Sequence, residues 1–265
     1  MLNEAGPDAY SPLEIAARVR DVGVVKARRD LLGTVVLAVL AGAFIGLGAL
    51  AASVVSTGSE LGFGPTRLLA GGVFSLGLIL VVVAGAELFT GNNLMAMAWA
   101  SGQLRFREVV RNWAIVYAGN AVGALGTVAL AWLGGVHTLA KGAVGATLVA
   151  VAVHKTGLEP LALVALGVLC NGLVCLAVWL AMAGRSVVDK VVAIVFPVAA
   201  FVAMGFEHSI ANLFFLPYGA LLDPTAVPLA GILRNLLWVT VGNLLGGTLL
   251  VAGVYQVAYL REPRR

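Results

Sequence analysis

Charged residues are scarce in this sequence. Asp, Glu, Lys and Arg make up 11% of its 265 residues, whereas soluble domains carry roughly a quarter. Hydrophobic residues make up 60% of the chain, and the mean hydropathy is +0.99. This composition excludes a soluble globular protein and predicts a protein embedded in a membrane.

Cysteine is also scarce. The two cysteines, Cys170 and Cys175, lie in one apolar segment at a spacing that places them on different helix faces. We therefore predict no disulfide and no metal site, and expect both thiols to be small buried packing residues. The sequence contains no phosphate-binding loop, which excludes pumping driven by nucleotide hydrolysis. We expect no enzyme activity, no catalytic residue and no cofactor.

Long uncharged segments make up most of the chain. Each can supply the about 20 apolar residues that a helix needs to cross the hydrocarbon layer. The sequence therefore predicts an all-α membrane protein with six transmembrane helices, at residues 31–55, 68–86, 113–133, 161–183, 191–206 and 236–259.

Lys and Arg are distributed unevenly over the two sides of these spans. The side that holds both termini collects 13 of the 17 basic residues, and the other side collects four. The positive-inside rule then predicts a multi-pass membrane protein, in contact with lipid and with both termini cytoplasmic. The net charge of +4 is spread over short loops, so no nucleic-acid partner is predicted.

A helix is predicted before the first span. Ser11, Pro12 and Glu14 are typical of a helix start with a capping box. We expect an amphipathic helix within residues 1–30 that lies on the cytoplasmic membrane surface, with a solvated tail as the alternative. The rest of the chain divides into a first three-span repeat at 31–140, a periplasmic connection at 141–160, a second three-span repeat at 161–260 and a cytoplasmic tail at 261–265.

Two spans are interrupted by polar residues at membrane depth. They share the pattern Gly-x-Glu-x4-Asn at an offset of 120 residues, and a Gly-Asn-x-x-Gly pattern recurs in two other spans at an offset of 123. Because each half has three spans, the second half must enter the membrane from the opposite side, which predicts inverted repeats with two interrupted helices. The matching positions are Gly85, Glu87 and Asn92 with Gly205, Glu207 and Asn212, and Gly119, Asn120 and Gly123 with Gly242, Asn243 and Gly246.

Four of these polar residues are expected to support the helix breaks. Glu87 and Glu207 can accept hydrogen bonds from backbone N–H groups exposed there, and a functional role is the alternative because carboxylates are costly in a bilayer. Asn92 and Asn212 suit the same structural task, in which they tie loop backbone to helix ends.

His208 has no counterpart in the first half, where Leu88 stands at the matching position. Duplication of a structural element does not explain it, so we predict a functional role, with a hydrogen-bonded core histidine as the alternative. His137 and His154, in the predicted external connection, are expected at the surface.

Four segments resemble the formate/nitrite transporter family, in family order and over nearly the whole chain. They are Ala86-Glu87-Leu88-Phe89-Thr90, Asn171 to Trp179, Gly184-Arg185-Ser186-Val187-Val188-Asp189-Lys190 and Gly205 to Asn212. The resemblance implies an aquaporin-like fold in a prokaryotic cytoplasmic (inner) membrane. It also implies a homopentamer in which each protomer has a pore for formate, nitrite, hydrosulfide or a related small anion.

The resemblance also implies roles for individual residues. His208 is similar to the central pore histidine and Thr90 to its partner, Lys155 to a vestibule lysine that attracts anions, and Asn171 and Glu207 to supporting polar residues. Two constrictions are expected, a cytoplasmic one of Leu78 and Phe201 and a periplasmic one of Phe74, Phe89 and Val174.

Several alternatives remain open at the level of sequence. His208 either hydrogen-bonds the anion or gives it a proton, which water could also supply. The resemblance of the constriction residues and of the Gly-Arg-Ser-x-x-Asp-Lys connection favours formate, with nitrite next and then hydrosulfide or a short carboxylate. The loop after Thr90 is ambiguous, because Gly91, Asn92 and Asn93 replace the Ser-Thr pair of typical formate channels. The rival classes are an aquaporin-like channel for neutral solutes, whose paired Asn-Pro-Ala motifs are missing, and a noncatalytic membrane scaffold.

Overall fold

The computed structural model describes residues 9–261. The first eight residues and positions 262–265 of the predicted tail lie outside this range. Within it the secondary structure is helical and contains no strand, which confirms the predicted all-α class. In chain order the helices are α1 Pro12–Arg28, α2 Leu31–Ser56, α3 Phe63–Gly85, α4 at 89–100, α5 Phe106–Leu133, α6 Ala143–Gly157, α7 Pro160–Ala183, α8 Val187–Ala203, α9 Ser209–Leu222 and α10 Leu229–Leu260.

In the part of the chain that the structure describes, six helical segments are long and apolar enough to cross a membrane. Five of them, α2, α3, α5, α7 and α10, coincide with predicted spans. The sixth, Val136–Gly157, covers most of the predicted connection instead. Its backbone leaves the helical region at Leu139, and Ala140 and Lys141 are left-handed, so the continuous helix is only α6. At 15 residues, or about 22 Å, α6 is shorter than the hydrocarbon layer.

The predicted fifth span is divided between two helices. Helix α8 has 17 residues and α9 has 14, so each covers only part of the membrane thickness and together they cross it. The first half contains the corresponding interruption, since α3 ends at Gly85 and the half-helix α4 follows after three residues.

The sequence places glycine where the long helices approach most closely. Gly123 of α5 faces the backbone of α2 at the Val39 carbonyl, and Gly246 of α10 faces α7 at the Val168 carbonyl. A Cβ atom at either glycine would overlap the neighbouring backbone. The Gly-Asn-x-x-Gly pattern therefore packs the third and sixth spans against the first and fourth in matching ways.

Helix α1 packs against the protein and is not a solvated tail. The predicted capping box is present, because Glu14 Oε2 accepts from the Ser11 amide at 2.8 Å while the Glu14 amide donates to Ser11 Oγ at 3.4 Å. The bonds from Ser11 lower the pKa of Glu14. Ile15, Ala16 and Val19 are buried, and Gly23 lies against Met95 and Ala98 of α4. The apolar face predicted to lie on lipid instead covers the end of the half-helix.

Candidate functional site at the two helix breaks

One asparagine holds the backbone at the first break. Gly85 has a positive φ of 90°, which turns the chain out of α3 toward the start of α4. Asn120 of α5 accepts from the Phe89 amide at 2.9 Å and donates to the carbonyls of Glu87 at 2.9 Å and Ala38 at 2.7 Å. A single buried side chain thus satisfies the Phe89 amide and the Glu87 carbonyl, which have no helical partner, and adds a bond to the Ala38 carbonyl inside α2.

The second break repeats this arrangement. Gly205 has a φ of 75°, and Asn243 of α10 accepts from the Ser209 amide at 2.8 Å. It donates to the carbonyls of Glu207 at 2.9 Å and Gly167 at 2.8 Å. Sequence reasoning used Asn120 and Asn243 only as repeat markers. An asparagine in the middle of a long apolar span is itself the signal that could have identified this role.

Both predicted carboxylates accept hydrogen bonds from side chains, so the expectation that they bind exposed backbone N–H groups was wrong. Glu87 Oε2 accepts from Asn92 Nδ2 at 2.7 Å, and Glu207 Oε2 accepts from Asn212 Nδ2 at 2.7 Å. The backbone amides at the breaks have other acceptors. Asn120 and Asn243 accept from the amides of Phe89 and Ser209, and the amides of Glu87 and Glu207 donate to the carbonyls of Leu37 and Leu166.

Asn92 and Asn212 likewise do not tie loop backbone to helix ends. Besides its carboxylate, each donates to a second buried asparagine, Asn112 at 2.9 Å or Asn235 at 2.7 Å. These two asparagines, on α5 and α10, were not singled out in the sequence.

Each carboxylate also binds a lysine. Lys155 of α6 lies 2.8 Å from Glu207 Oε1, and Lys26 of α1 lies 2.8 Å from Glu87 Oε2. Lys155 was predicted as a vestibule lysine and not as the partner of Glu207. Lys26 was counted only as part of the basic segment before the first span. Its offset from Lys155 is 129 residues rather than 120, so the motif comparison missed it. The matching bonds make α1 and α6 equivalent helices that cover opposite ends of the molecule.

The charge of the two clusters differs. Glu87 is approached by two cations, Lys26 and, at 3.7 Å, Arg29. Among residues 9–261, Lys155 is the one cation that pairs with Glu207. The Glu87 cluster at the α1 end therefore carries an excess positive charge, and the Glu207 cluster is balanced.

His208 and Thr90 meet between the two breaks. His208 Nε2 and Thr90 Oγ1 are 3.0 Å apart, and both side chains are buried, with 3% and 0% of their surface exposed. His208 Nδ1 accepts from the Ala211 amide at 3.1 Å and thereby caps the N-terminus of α9. Because Nδ1 is an acceptor, the neutral ring carries its proton on Nε2 and donates it toward Thr90.

Asn171 supports this pair without contacting His208. Its amide nitrogen lies 3.3 Å from the carbonyl oxygen of Thr90, 2.7 Å from the carbonyl of Asn243 and 2.7 Å from Asn93 Oδ1. Cys175, one turn further along α7, also points its thiol at the Thr90 carbonyl. Two side chains of α7 therefore hold the backbone of Thr90 in place.

The five predicted constriction residues are all buried, but their grouping is wrong. The rings of Phe74 and Phe201 are in edge contact at 5.7 Å, although one was assigned to each constriction. Helices α3 and α8 are antiparallel with Ser75 beside Val195, so Leu78 lies about two turns of α8 away from Phe201. Sequence resemblance does not reveal this register.

The other two predicted constriction residues, Phe89 and Val174, lie on separate helices. Phe89 is the first residue of α4 and packs edge-on against Tyr117 at 5.0 Å. Val174 lies on α7, three residues after Asn171. The Phe201 ring is stacked near His208 at 6.0 Å. Aromatic rings thus adjoin the polar pair through both Phe89, next to Thr90 in the chain, and Phe201.

The predicted surface histidines differ from each other. His154 is exposed on α6, as expected. His137 is half-buried between Trp132 and Tyr218, with ring centroids 6.5 Å and 6.4 Å away.

These features define a class of protein. Two inverted repeats, each with a helix broken inside the membrane, and a sealed polar pair between the breaks are the architecture of a multi-pass membrane transport protein. Residues 13–257 match the model of the formate/nitrite transporter family. The chain belongs to that family.

Named relatives and solved structures agree with this membership. The chain is 42% identical to the formate channel FocA of Escherichia coli (strain K12), with 96% of each chain covered, and 38% identical to a probable formate transporter of Methanothermobacter thermautotrophicus, with 97% and 100% covered. It is also similar to the structure of a pentameric formate channel with formate bound, with a TM-score of 0.80, 38% identity and 87% and 98% of the two chains covered. For an FNT family ion channel the TM-score is 0.85, with 30% identity and 92% and 98% covered.

Proposed function

We propose that this protein is a channel for formate and its proton across a prokaryotic inner membrane, with both termini in the cytoplasm and five copies in the assembly. The observation that carries the proposal is the Thr90–His208 pair, which presents hydrogen-bond donors between apolar side chains at the meeting point of the two breaks. The relatives that are named formate channels support the choice of formate, and the pentameric relative supports the assembly.

The apolar residues explain why such donors are needed. A bare anion that passes Phe74, Phe201, Phe89 and Val174 loses hydration with no replacement. The hydroxyl of Thr90, and the Nε2–H group of His208 when it turns from Thr90 Oγ1 to the anion, replace part of that hydration. We propose Phe74 with Phe201 as one constriction and Phe89 with Val174 as the other, and Leu78 as a lining residue of α3.

The protonation state of His208 favours one of the two sequence-level mechanisms. A neutral imidazole donates a hydrogen bond through Nε2–H, but it would have to become an anion to give that proton away. Protonation at Nδ1 would set an N–H group against the Ala211 amide and break the cap of α9. We therefore propose that His208 is a hydrogen-bond donor to formate and that the accompanying proton comes from water.

Uptake by liposomes tests the proposed function. Reconstituted protein should take up labelled formate faster than nitrite and much faster than hydrosulfide, and uptake should rise as external pH falls because the proton accompanies the anion. Faster passage of nitrite would identify nitrite, and not formate, as the preferred substrate. Passage of none of the three anions would refute the channel proposal, and passage of glycerol instead would favour a neutral-solute channel.

Removal of the Lys155 charge should impair anion entry. Lys155→Met leaves Glu207 as an unpaired, buried negative charge at the α6 end of the molecule, 2% exposed. A negative charge near the pathway repels an anion, so we expect formate flux per inserted protein to fall about ten-fold. Flux measured across ionic strength should confirm an electrostatic origin.

The double variant Lys155→Met/Glu207→Gln supplies the control. It removes both charges and keeps an oxygen that accepts from Asn212, so flux should recover most of the loss. An exposed neighbour on α6, His154→Gln, should leave flux unchanged. Equal flux in the single and double variants would mean that the charge of Glu207 is not the cause.

A further inference from the structure

Two helices end inside the molecule, and their carboxyl ends create an electrostatic problem for an anion. The last carbonyl groups of a helix have no helical partners and carry a partial negative charge. Helix α8 ends at Ala203, two residues after Phe201, whose ring is stacked near His208. The negative end of α8 therefore adjoins the proposed conduction pathway.

Arg67 binds these carbonyls. It lies on α3 and donates from Nη2 to the Val202 carbonyl at 2.7 Å and from Nε to the Ala203 carbonyl at 3.1 Å. The guanidinium is half-buried, and Gly205 comes so close that a Cβ there would lie 3.0 Å from Nη2. The planar fork of one arginine thus engages the last two residues of the helix and borders the turn that follows.

The first break has no equivalent cation. At the 120-residue offset, Val187 occupies the position that corresponds to Arg67. Within residues 9–261 no side chain donates to the carbonyls of residues 82–85, where α3 ends as a π-helix whose final bond is Ala86 N–H to the Val81 carbonyl. Arg67, like His208, has no counterpart in the other repeat. Both residues contact the chain at the second break.

We propose that Arg67 is a positioning residue of the conduction pathway. Its bonds hold the end of α8, and with it Phe201 against His208, and its charge offsets the partial negative charge that the carbonyls would present to an anion. The role rests on the proposed anion-channel function. The charges of Lys155 and Glu207 balance each other. Arg67 would therefore supply the positive charge at the α6 end of the molecule that this ion pair does not provide.

Selectivity separates this role from a general contribution to folding. Arg67→Met should raise the ratio of acetate flux to formate flux about five-fold, because Phe201 is released, and should raise the half-saturating formate concentration. Arg67→Lys keeps the charge without the fork, so it should restore the half-saturating concentration and only part of the ratio. Lys141→Met, which removes an exposed charge on the same side, should change neither value. A purely structural loss would lower only the amount of active protein.

Hydrogen exchange of residues 203–208 tests the positioning directly and does not depend on transport. Exchange there should accelerate in Arg67→Met and much less in Arg67→Lys, while exchange in α5 stays constant. If wild-type protein passes no formate, the channel proposal fails, but hydrogen exchange still tests whether Arg67 holds the end of α8. Unchanged exchange, or an unchanged acetate-to-formate ratio in a conducting protein, would overturn the role. If Arg67→Met does not insert, the same criteria apply to Arg67→Gln, which also removes the charge.

Discussion

Asn243→Ala should lower the free energy of unfolding by about 3–5 kcal/mol. The substitution leaves the Ser209 amide and the Glu207 carbonyl without partners in a region that water does not reach. It also removes the side-chain donor of the Gly167 carbonyl, which keeps its helical bond inside α7. Each buried group left unsatisfied costs roughly 1–3 kcal/mol, and two such groups arise at one site. Reversible unfolding from mixed micelles would measure the loss.

The inverted repeat supplies a matched comparison. Asn120→Ala removes the equivalent three bonds at the first break and should cost a similar amount. Gln103→Ala, at an exposed position, should have little effect. A loss below about 1 kcal/mol in both asparagine variants would mean that the breaks do not depend on these side chains.

His208→Asn should reduce formate flux at neutral pH about 30-fold without unfolding the protein. Asparagine is a favoured N-cap residue, so the cap of α9 that His208 Nδ1 now supplies can be retained. The donor at Nε2 is lost, and a hydrogen bond to a charged group contributes about 1.5–3 kcal/mol. Thermal unfolding should stay near the wild-type temperature while flux falls.

The pH profile of the same variant decides between the two roles of His208. If His208 donates a hydrogen bond and water supplies the proton, the ratio of flux at about pH 5.5 to flux at about pH 7.5 should equal that of the wild type. A flattened profile would instead identify His208 as the proton donor. His154→Asn, which changes an exposed histidine, controls for nonspecific effects.

The location of the site could be predicted from the chain because its markers are visible in a linear pattern. Glycine followed by a carboxylate in an apolar span marks each break, and two breaks 120 residues apart mark a duplication. His208 opposite Leu88 marks the departure from symmetry. The N-terminal capping box was also predictable, since its residues lie three positions apart.

The partners at the site were harder to predict because they are distant in the chain. Glu87 binds Lys26 across 61 residues, and Glu207 binds Lys155 across 52. The predicted grouping of the constriction residues was wrong for a related reason. The antiparallel register of α3 and α8 depends on Gly71 packing against the Ala199 backbone. No local pattern encodes that register.

The sequence by itself determined that the chain is a helical membrane protein with two inverted halves, because hydropathy and the spacing of repeated motifs are properties of the chain alone. Only the tertiary structure decided what each polar residue binds. In a medium without water every buried donor and acceptor must find a protein partner, and which partner it finds depends on how the helices pack. Because of that packing, Asn120 and Asn243 bind backbone groups at the breaks, the lysines bind the carboxylates, and Nδ1 of His208 caps α9.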